Sequence, residues 1–488
     1  GGALRAAATA SHGAWARRLD RAFTGGPVGQ PTPETHPHFL KPGELTPGIT
    51  TAEYAARRAA LAARMPPGSL VIIPSAPLQF VTGKIPHAFR QEADFLYLTG
   101  LDQEITGAVM MLMTPRSSDQ AKEPLYTLAI PNNEIERVRW DGLRVGPDAA
   151  RAVFGAEEVL PLHALPRELE TRLEAAQMIF YDPDRAGGML TQQAPALLAA
   201  VRAQRVHALR PHVHALRWKK SLAEQALMRA AAAASADAIA MCMQESFGGV
   251  DEHRLSCTFE RETKRRGAKR MAYPQVVGGG ANACTIHYGR NDGVAREGEL
   301  MLMDAGCEMH GYASDVTRTW PVSGKFSSPQ KDLYTAVLET HMKCIEACNN
   351  GSTLRQLHHL SVQLLSEALV DLGVCKGGGV GFPTRSVPYR PFYPHSVGHW
   401  LGMDTHDSAT IPLDRAMEPG VVLTLEPGLY LPDIEEVPKH LRGLGVRIED
   451  DILIGERGEA IVISDQVPKE VGEVEALVGQ ARAHLVNL

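Results

Sequence analysis

Four acidic residues and one histidine, each set in an apolar, strand-like segment, constrain the fold of this sequence more than any other feature. They are Asp304, Asp315, His399, Glu426 and Glu449, and all lie in the C-terminal half of the chain. Burying an unpaired carboxylate is costly, so such residues must be ion-paired, hydrogen-bonded or bound to metal. Four carboxylates and one imidazole suit two divalent cations about 3.5–4 Å apart. The sequence therefore predicts strands that gather these side chains around metal.

Each of the five residues, taken singly, also has an ordinary explanation. Asp304 precedes a turn glycine and could cap that turn, while Asp315 could form a cross-strand ion pair. A lone histidine such as His399 is more often a satisfied core residue than a ligand. Glu426 could simply end a strand, and Glu449, followed by two aspartates, could belong to a solvated acidic run. The metal prediction depends on all five occurring together and in this order.

The five segments resemble the metal-binding motifs of the pita-bread metallopeptidases, the family of aminopeptidase P, prolidase, methionine aminopeptidase and creatinase. His287, in the run TIHY, falls where that family carries a catalytic histidine, and His395 and His406 match two further active-site histidines. The stretch GLGVRIED at 443–450 has the form typical of aminopeptidase P and prolidase. The resemblance extends to the N-terminal part, where FRQEADFLYLTG at 89–100 is similar to the creatinase-type amino domain.

The resemblance implies a metal-binding role for each of the five residues. Asp304 would bind one ion, Asp315 and Glu449 would bridge both ions, and His399 and Glu426 would complete the ligands of the second. Two divalent ions per chain, with Mn²⁺ the expected metal, would then supply a bridging hydroxide for attack on a peptide carbonyl. Glu426 is the residue expected to pass the proton of that water to the leaving nitrogen.

The resemblance also implies residues that bind the substrate. His287 and His406 would act as catalytic residues that hydrogen-bond the substrate around the scissile bond, since a neutral imidazole can both donate and accept. A pocket for the residue after that bond, which is proline in the reference substrates, would be formed by His395, Tyr430 and Arg447. The expected function is thus a metallopeptidase that releases one N-terminal residue, preferentially before proline.

Other functions remain open at this stage. A prolidase, which cleaves Xaa-Pro dipeptides, shares both domains and all five ligands, and Arg447 could read the carboxylate of a dipeptide. Non-catalytic pita-bread proteins bind other macromolecules, but they have lost the ligands. A thiolate zinc site at Cys284, His287 and Cys307 lacks a fourth ligand at suitable spacing. The glycine run 278–280 lacks the Lys-Ser/Thr of a phosphate loop, and the run 377–379 is most simply a linker.

The length and composition indicate a globular protein of more than one domain. At 488 residues the chain is too long for one hydrophobic core, and its net charge of −6 gives no sign of a nucleic-acid partner. By sequence we expect no membrane span, because no run of about 18 apolar residues is uninterrupted. The seven cysteines all lie in the second half without a C-x-x-C pair, which indicates free thiols.

The chain organisation predicts a fold class of α/β plus α+β. Residues 1–48 form an Arg-rich, acid-poor segment typical of a mitochondrial transit remnant, followed by a proline-rich arm like that of mature mitochondrial members of the aminopeptidase P group. Residues 49–216 alternate strand-like runs, among them Phe95–Leu98, with helices, as in a creatinase-type domain. Residues 217–488 would form a pita-bread catalytic domain with antiparallel, metal-bearing strands. We expect a dimeric enzyme whose substrates are peptide or protein N-termini. Its expected location is the mitochondrion, and a cytoplasmic location in addition stays open.

Overall fold

The computed structural model describes residues 29–119, 122–132, 135–376 and 388–481. The chain divides into two compact units, Gly1–Leu216 and Arg217–Leu488. The predicted transit segment and the linker at 377–379 lie outside the described residues, so these two predictions are untested.

The N-terminal unit is built on a six-stranded mixed sheet. The strands of this unit are β1 Glu44–Thr46, β2 Ile49–Thr50, β3 Ser69–Pro74, β4 Phe80–Thr82, β5 Ile85–Pro86, β6 Val109–Met113, β7 Leu125–Ile130, β8 Glu158–Pro161, β9 Met178–Phe180 and β10 Val206–His207. The strand order in the sheet is β10-β9-β3-β6-β7-β8. Strand β3 pairs antiparallel with β6 and parallel with β9, which agrees with the α/β prediction. Its helices are α1 Thr51–Arg64, α2 Ala93–Thr99, α3 Ile135–Asp141, α4 Pro147–Ala152, α5 Leu165–Ala175, α6 Met189–Gln193 and α7 Pro195–Arg202; α8, Arg210–Arg217, ends at the boundary.

The prediction of a strand at Phe95–Leu98 is wrong, because these residues lie inside helix α2. The side chain of Glu92 accepts a hydrogen bond from the Phe95 backbone N–H at 2.7 Å and caps the helix. Gly100 ends the helix in the left-handed region with φ 73°. Caps at both ends thus stabilise a short apolar run as a helix, and apolarity alone does not distinguish such a run from a strand.

The C-terminal unit combines short antiparallel sheets with long helices, as the α+β prediction requires. Its strands are β11 Val250–Asp251, β12 Arg270–Met271, β13 Val276–Gly279, β14 Val294–Ala295, β15 Leu300–Ala305, β16 Cys307–Met309, β17 Tyr312–Ala313, β18 Val316–Pro321, β19 Val422–Leu425, β20 Gly428–Leu431, β21 Leu444–Arg447, β22 Asp450–Ile454 and β23 Ala460–Val462. Its helices are α9 Leu222–Gln244, α10 Glu252–Arg265, α11 Ser328–Ala347, α12 Leu354–Asp371 and α13 Val471–Leu477.

Helix α9 opens the C-terminal unit and packs in its core. Ser221 and Glu224 form the capping box that the sequence predicts, each side chain bonding the backbone N–H of the other residue. Residues of α9 from Ala236 to Met243 pack against strands β15 and β18 in one buried apolar cluster. Among the described residues, α9 is the one helix long and apolar enough to span a membrane, and 61% of its most apolar window is buried within the protein.

Candidate metal centre and active site

Asp304 and Asp315 are brought together by the antiparallel pair β15 and β18. Asp304 lies within β15 opposite Thr317, and Asp315 immediately precedes β18. The segment 305–314, which connects the two aspartates, returns on itself so closely that it requires Gly306. A Cβ at this position would lie 1.8 Å from the Ser314 carbonyl oxygen. The antiparallel strands predicted to carry these two aspartates are therefore present, and a glycine lets the two backbones approach.

His399 and Glu426 come from a second close pairing of segments. The Thr424 N–H donates to the His399 carbonyl at 2.9 Å, and the Glu426 N–H donates to the Val397 carbonyl at 2.7 Å. Gly398 makes this approach possible, because a Cβ there would lie 1.9 Å from the Thr424 carbonyl oxygen. The His399 Nε2 consequently lies 3.8 Å from an oxygen of Glu426.

Glu449 reaches the same centre from the short connection between β21 and β22. Its backbone N–H donates to the Thr317 carbonyl at 3.0 Å, and its Oε2 accepts from the Thr317 hydroxyl at 2.7 Å. Ligand atoms of Asp315, His399 and Glu449 all lie within 4.8 Å of one another. Glu449 is buried, as are the two aspartates after it, so the solvated acidic run is not the explanation.

The carboxylates of this cluster are desolvated and lie close together, so binding of positive charge between them would be favourable. Burial raises the pKa of Glu449 well above its usual range, and the neighbouring Asp315 raises it further. Burial likewise raises the pKa of Glu426 to about 7 and raises that of Asp304. Burial opposes the charged form of His399, but the carboxylate of Asp315 outweighs it and raises the pKa to about 9. Divalent cations among these oxygen and imidazole donors would relieve the mutual repulsion of the carboxylates, so the residues fit a metal site.

Tyr273 is a member of the centre that the sequence analysis missed. Its hydroxyl lies 2.7 Å from Asp304 Oδ1 and 2.5 Å from Asp315 Oδ1, so it donates to one of these two carboxylates. Burial and the two acids raise the pKa of Tyr273 well above its usual value, which keeps it a donor. The segment MAYPQVV around it carries no recognisable signal, since a tyrosine before proline is ordinary in a loop.

The three residues predicted to form the proline pocket are joined in one directed chain of hydrogen bonds. Arg447 Nη1 donates to the Tyr430 hydroxyl at 2.6 Å, and that hydroxyl lies 2.8 Å from His395 Nε2. The opposite nitrogen, Nδ1, lies 2.8 Å from the Ser396 carbonyl, which can only accept. His395 is therefore protonated on Nδ1 and accepts from Tyr430 on Nε2. Burial, aided by Arg447, lowers the pKa of His395 to about 3, so this imidazole is neutral.

His287 and His406 are the exposed members of the predicted site. The ring of His406 lies beside that of His399, with centroids 4.3 Å apart and the ring planes tilted by 59°. Although the residue is exposed to solvent, partial desolvation of its ring, together with His399, lowers the pKa of His406. The residue that follows it, Asp407, is buried and accepts hydrogen bonds from Arg217 and from Lys220, the latter at 3.3 Å. An ion-paired anchor thus fixes the backbone beside His406.

A buried network of charged residues around Asp450, which the sequence analysis did not predict, holds the backbone of Glu449. Arg318 donates to the Glu449 carbonyl at 2.6 Å and to Asp450 Oδ1 at 2.7 Å. His341 and Lys469 contact the other Asp450 oxygen at 2.8 and 2.6 Å. Although burial opposes it, Arg318 holds the pKa of Asp450 well below its usual range. Asp450 is therefore a structural anion in this structure, and its partners lie far from it in sequence.

The cysteines take no part in the centre. All seven are free, in agreement with the prediction, and Cys307 is buried with its thiol directed at the Ala231 carbonyl. Within the part of the chain that the structure describes, Asp315, His399 and Glu449 are the one group of metal-binding residues close enough to share an ion. This finding does not support the thiolate zinc alternative at Cys284.

A unit of antiparallel strands that gathers buried carboxylates and a histidine, flanked by exposed histidines, defines a metal-dependent hydrolase of the pita-bread class. The family model "Metallopeptidase family M24" matches residues 226–456, and "Aminopeptidase P, N-terminal domain" matches residues 54–180. The chain belongs to metallopeptidase family M24, in its aminopeptidase P group. The resemblance seen in the sequence is thereby confirmed.

Relatives and solved structures cover nearly the whole chain. It is 41% identical over 455 residues to "Intermediate cleaving peptidase 55, mitochondrial" of Arabidopsis thaliana, covering 92% of this chain and 87% of the relative. It is 36% identical over 467 residues to human Xaa-Pro aminopeptidase 3, covering 93% and 91%. The structure of Zn-substituted Escherichia coli aminopeptidase P in complex with product matches with a TM-score of 0.80 and 33% identity, covering 89% of this chain and 99% of that one. These proteins share both the N-terminal and the catalytic domain with this chain.

Proposed function

We propose that this protein is a dinuclear metal-dependent aminopeptidase that releases the N-terminal residue of a peptide or protein, preferentially when proline follows. The observation that carries the proposal is the convergence of Asp315, His399 and Glu449 within 4.8 Å, with Asp304 and Glu426 beside them. Relatives named as Xaa-Pro aminopeptidases support the reaction and the substrate class. The domains proposed are a proline-rich arm to residue 48, an aminopeptidase P-type domain over 49–216 and the catalytic domain over 217–488.

Five side chains would hold the metals. Asp304 would bind one ion, Asp315 and Glu449 would bridge, and His399 and Glu426 would complete the second site; we propose two ions, with Mn²⁺ the working metal. When bound, such ions acidify a coordinated water and polarise the carbonyl under attack. Glu426 is the carboxylate that would accept the proton of that water and release it to the leaving nitrogen.

The histidines would orient the peptide. His287 and His406 are exposed, so they can reach a bound substrate. Besides desolvation, the nearby His287 lowers the pKa of both His395 and His406, and His406 lies beside His399. Burial lowers the pKa of His406, which keeps its imidazole able both to accept and to donate near neutral pH. His395, Tyr430 and Arg447 would line the site of the proline ring, and their hydrogen-bond chain fixes the orientation of each ring.

One observation favours an aminopeptidase over a prolidase. A dipeptidase must bind the C-terminal carboxylate of its substrate, and Arg447 is the cation that the sequence offers for this role. Its guanidinium donates to Asp304 at 2.7 Å, to Tyr430 at 2.6 Å and to Thr317 at 3.2 Å, and the residue is 1% exposed. Because these donors are already used, Arg447 is poorly placed to hold a dipeptide's carboxylate.

The proposed location is the mitochondrion, with a cytoplasmic pool as a further possibility to test. The mitochondrial relative of Arabidopsis thaliana supports the first of these. The Arg-rich segment before residue 23 has the composition of a transit remnant. A dimeric assembly stays a prediction.

A panel of four peptides tests the proposed reaction. It comprises an Xaa-Pro-containing peptide with a free N-terminus, its N-acetylated form, the Xaa-Ala counterpart and the bare Xaa-Pro dipeptide. We expect release of a single residue from the free Xaa-Pro peptide, slower release from the Xaa-Ala peptide, and none from the acetylated form, because acetylation removes the charge of the α-amine. Comparable cleavage of the acetylated peptide, or cleavage of the dipeptide alone, would refute the aminopeptidase assignment.

A further inference from the structure

Glu252 is a fully buried carboxylate, outside the metal centre, with four hydrogen-bond donors around it. One oxygen accepts from the Gly279 N–H at 2.8 Å and from the Asn282 side chain at 2.9 Å. The other accepts from the Gly293 N–H at 2.7 Å and from the Tyr288 hydroxyl at 2.9 Å. Glu252 is 0% exposed and is the first residue of helix α10, whose N-terminus favours a negative charge. A buried carboxylate with four donors is a strong and geometrically specific anchor.

All four donors belong to one loop, residues 279–293, which carries His287. Gly279 and Gly293 are its two ends, and Tyr288 directly follows His287 in the chain. A Cβ at Gly293 would lie 2.9 Å from a Glu252 oxygen and 2.9 Å from the Asn282 side-chain nitrogen, so a larger residue there would displace this anchor. Glu252 therefore binds both ends of the loop, and it also accepts a hydrogen bond from Tyr288, the residue next to His287.

We infer that Glu252, through Tyr288, is the positioning residue that fixes His287 for reaction. This inference rests on the proposed function, in which His287 hydrogen-bonds the substrate. The imidazole is exposed, so its placement depends on the loop backbone rather than on packing around the ring. The hydrogen bond of Tyr288 to Glu252 sets that backbone one residue away from His287.

Tyr288→Phe separates this role from general stability. A change at Glu252 itself is less suitable, because in Glu252→Gln the amide NH₂ faces at least one backbone N–H donor in either orientation, so the variant carries a risk of misfolding. Tyr288→Phe is milder, because it keeps the ring and removes only the hydroxyl, which contacts Glu252, Asn282 and, at 3.3 Å, Asp292. Tyr312→Phe is the matched control, since its hydroxyl donates to Glu224 at 2.8 Å elsewhere in the same unit.

The test is a double-mutant cycle between Tyr288→Phe and His287→Ala, with kcat, KM and bound metal measured on a free Xaa-Pro peptide. We expect Tyr288→Phe alone to lower kcat by about 10-fold to 100-fold, as a small misplacement of a reacting group does. Bound metal should stay at the wild-type level. In the His287→Ala background the same substitution should cause no further loss, because the residue through which it acts is gone. Tyr312→Phe should leave kcat near the wild-type value in both backgrounds.

Each alternative outcome is decisive. Wild-type kcat in Tyr288→Phe, or a loss that multiplies with that of His287→Ala, overturns the positioning role and leaves the proposed function intact. Wild-type kcat in His287→Ala instead overturns the proposed role of His287, and the positioning inference falls with it. A loss in Tyr288→Phe that Tyr312→Phe reproduces assigns the effect to general stability and also overturns the inference.

Discussion

The hydroxyl of Thr317 donates a 2.7 Å hydrogen bond to Glu449, although the two residues lie 132 positions apart in sequence. The same hydroxyl accepts from Arg447 Nε at 3.2 Å, so its lone pair and its proton are both used. Arg447 in turn donates to Asp304 at 2.7 Å. One buried threonine therefore links a proposed bridging ligand to the arginine that orients another ligand.

Thr317→Val, which keeps the shape and removes the hydroxyl, should weaken metal binding by about 10-fold to 100-fold, the usual effect of losing a partner of a ligand. Titration of the metal-stripped protein with Mn²⁺, followed calorimetrically, measures this. Thr319→Val is the control, because its hydroxyl lies two residues along the same strand and donates to the Arg447 carbonyl at 3.0 Å. Equal Mn²⁺ affinity in Thr317→Val and wild type would contradict a role for this hydrogen bond.

Asp315→Ala and Glu449→Ala should each abolish turnover and leave the chain folded. Each removes a carboxylate from the cluster whose atoms lie within 4.8 Å, and neither side chain is part of the apolar core. Activity on a free Xaa-Pro peptide and circular dichroism measure the two properties. Chelation should inactivate the wild type, and added metal should restore it. More than a few per cent of activity in either variant would argue against the bridging roles.

His287→Ala and His406→Ala should lower kcat by about 10²-fold to 10⁴-fold, the range expected for lost proton transfer or transition-state hydrogen bonding. Both residues are exposed, and neither belongs to the group of Asp315, His399 and Glu449 that could share an ion, so bound metal should be unchanged. Steady-state kinetics and elemental analysis of the same preparations check this. Loss of metal in either variant would make that histidine a ligand.

His341 should make the stability of the catalytic unit sensitive to acid. Burial lowers its pKa below the usual 6.5, and its Nδ1 has no hydrogen-bond partner among the described residues, so a second proton would lie unsolvated. Below pH 6.5 the unfolded chain takes up a proton that the folded chain refuses, so stability falls as the pH falls. The loss attributable to His341 approaches about 1.4 kcal/mol per pH unit.

His341→Gln should therefore show a shallower fall in the free energy of unfolding between pH 6.5 and 5 than the wild type. Urea unfolding followed by tryptophan fluorescence, at fixed Mn²⁺ concentration, measures both curves. The comparison cancels the loss of metal at low pH, which is common to both proteins. Parallel curves would show that His341 takes up its proton as readily in the folded protein as in the unfolded chain, which would contradict the lowered pKa.

The proposed metal ligands can be picked out in the sequence because they lie in apolar, strand-like segments. Two of these segments also contain a glycine, Gly306 and Gly398, and a Cβ at either position would collide with a backbone oxygen. Strand pairing then brings Asp304 and Asp315 together, as the sequence predicted.

The residues that support the site could not be predicted in the same way. The hydrogen bonds of Arg318 to Asp450 and of Tyr288 to Glu252 join residues that lie far apart in sequence, so no local sequence pattern indicates them. Tyr273 reaches the two aspartates only through the folded arrangement of its loop. The strand predicted at Phe95–Leu98 is instead part of the helix Ala93–Thr99, because the caps of that helix outweigh the intrinsic preference of a short apolar run.

The most direct test of a dinuclear aminopeptidase is to restore activity to metal-stripped protein by stepwise addition of Mn²⁺, with the products of one free Xaa-Pro peptide identified by mass spectrometry. The account predicts that release of the single N-terminal residue rises until about two ions per chain have been added and then levels off. Release of that residue at the wild-type rate in the presence of chelator, or cleavage at internal bonds only, would contradict it.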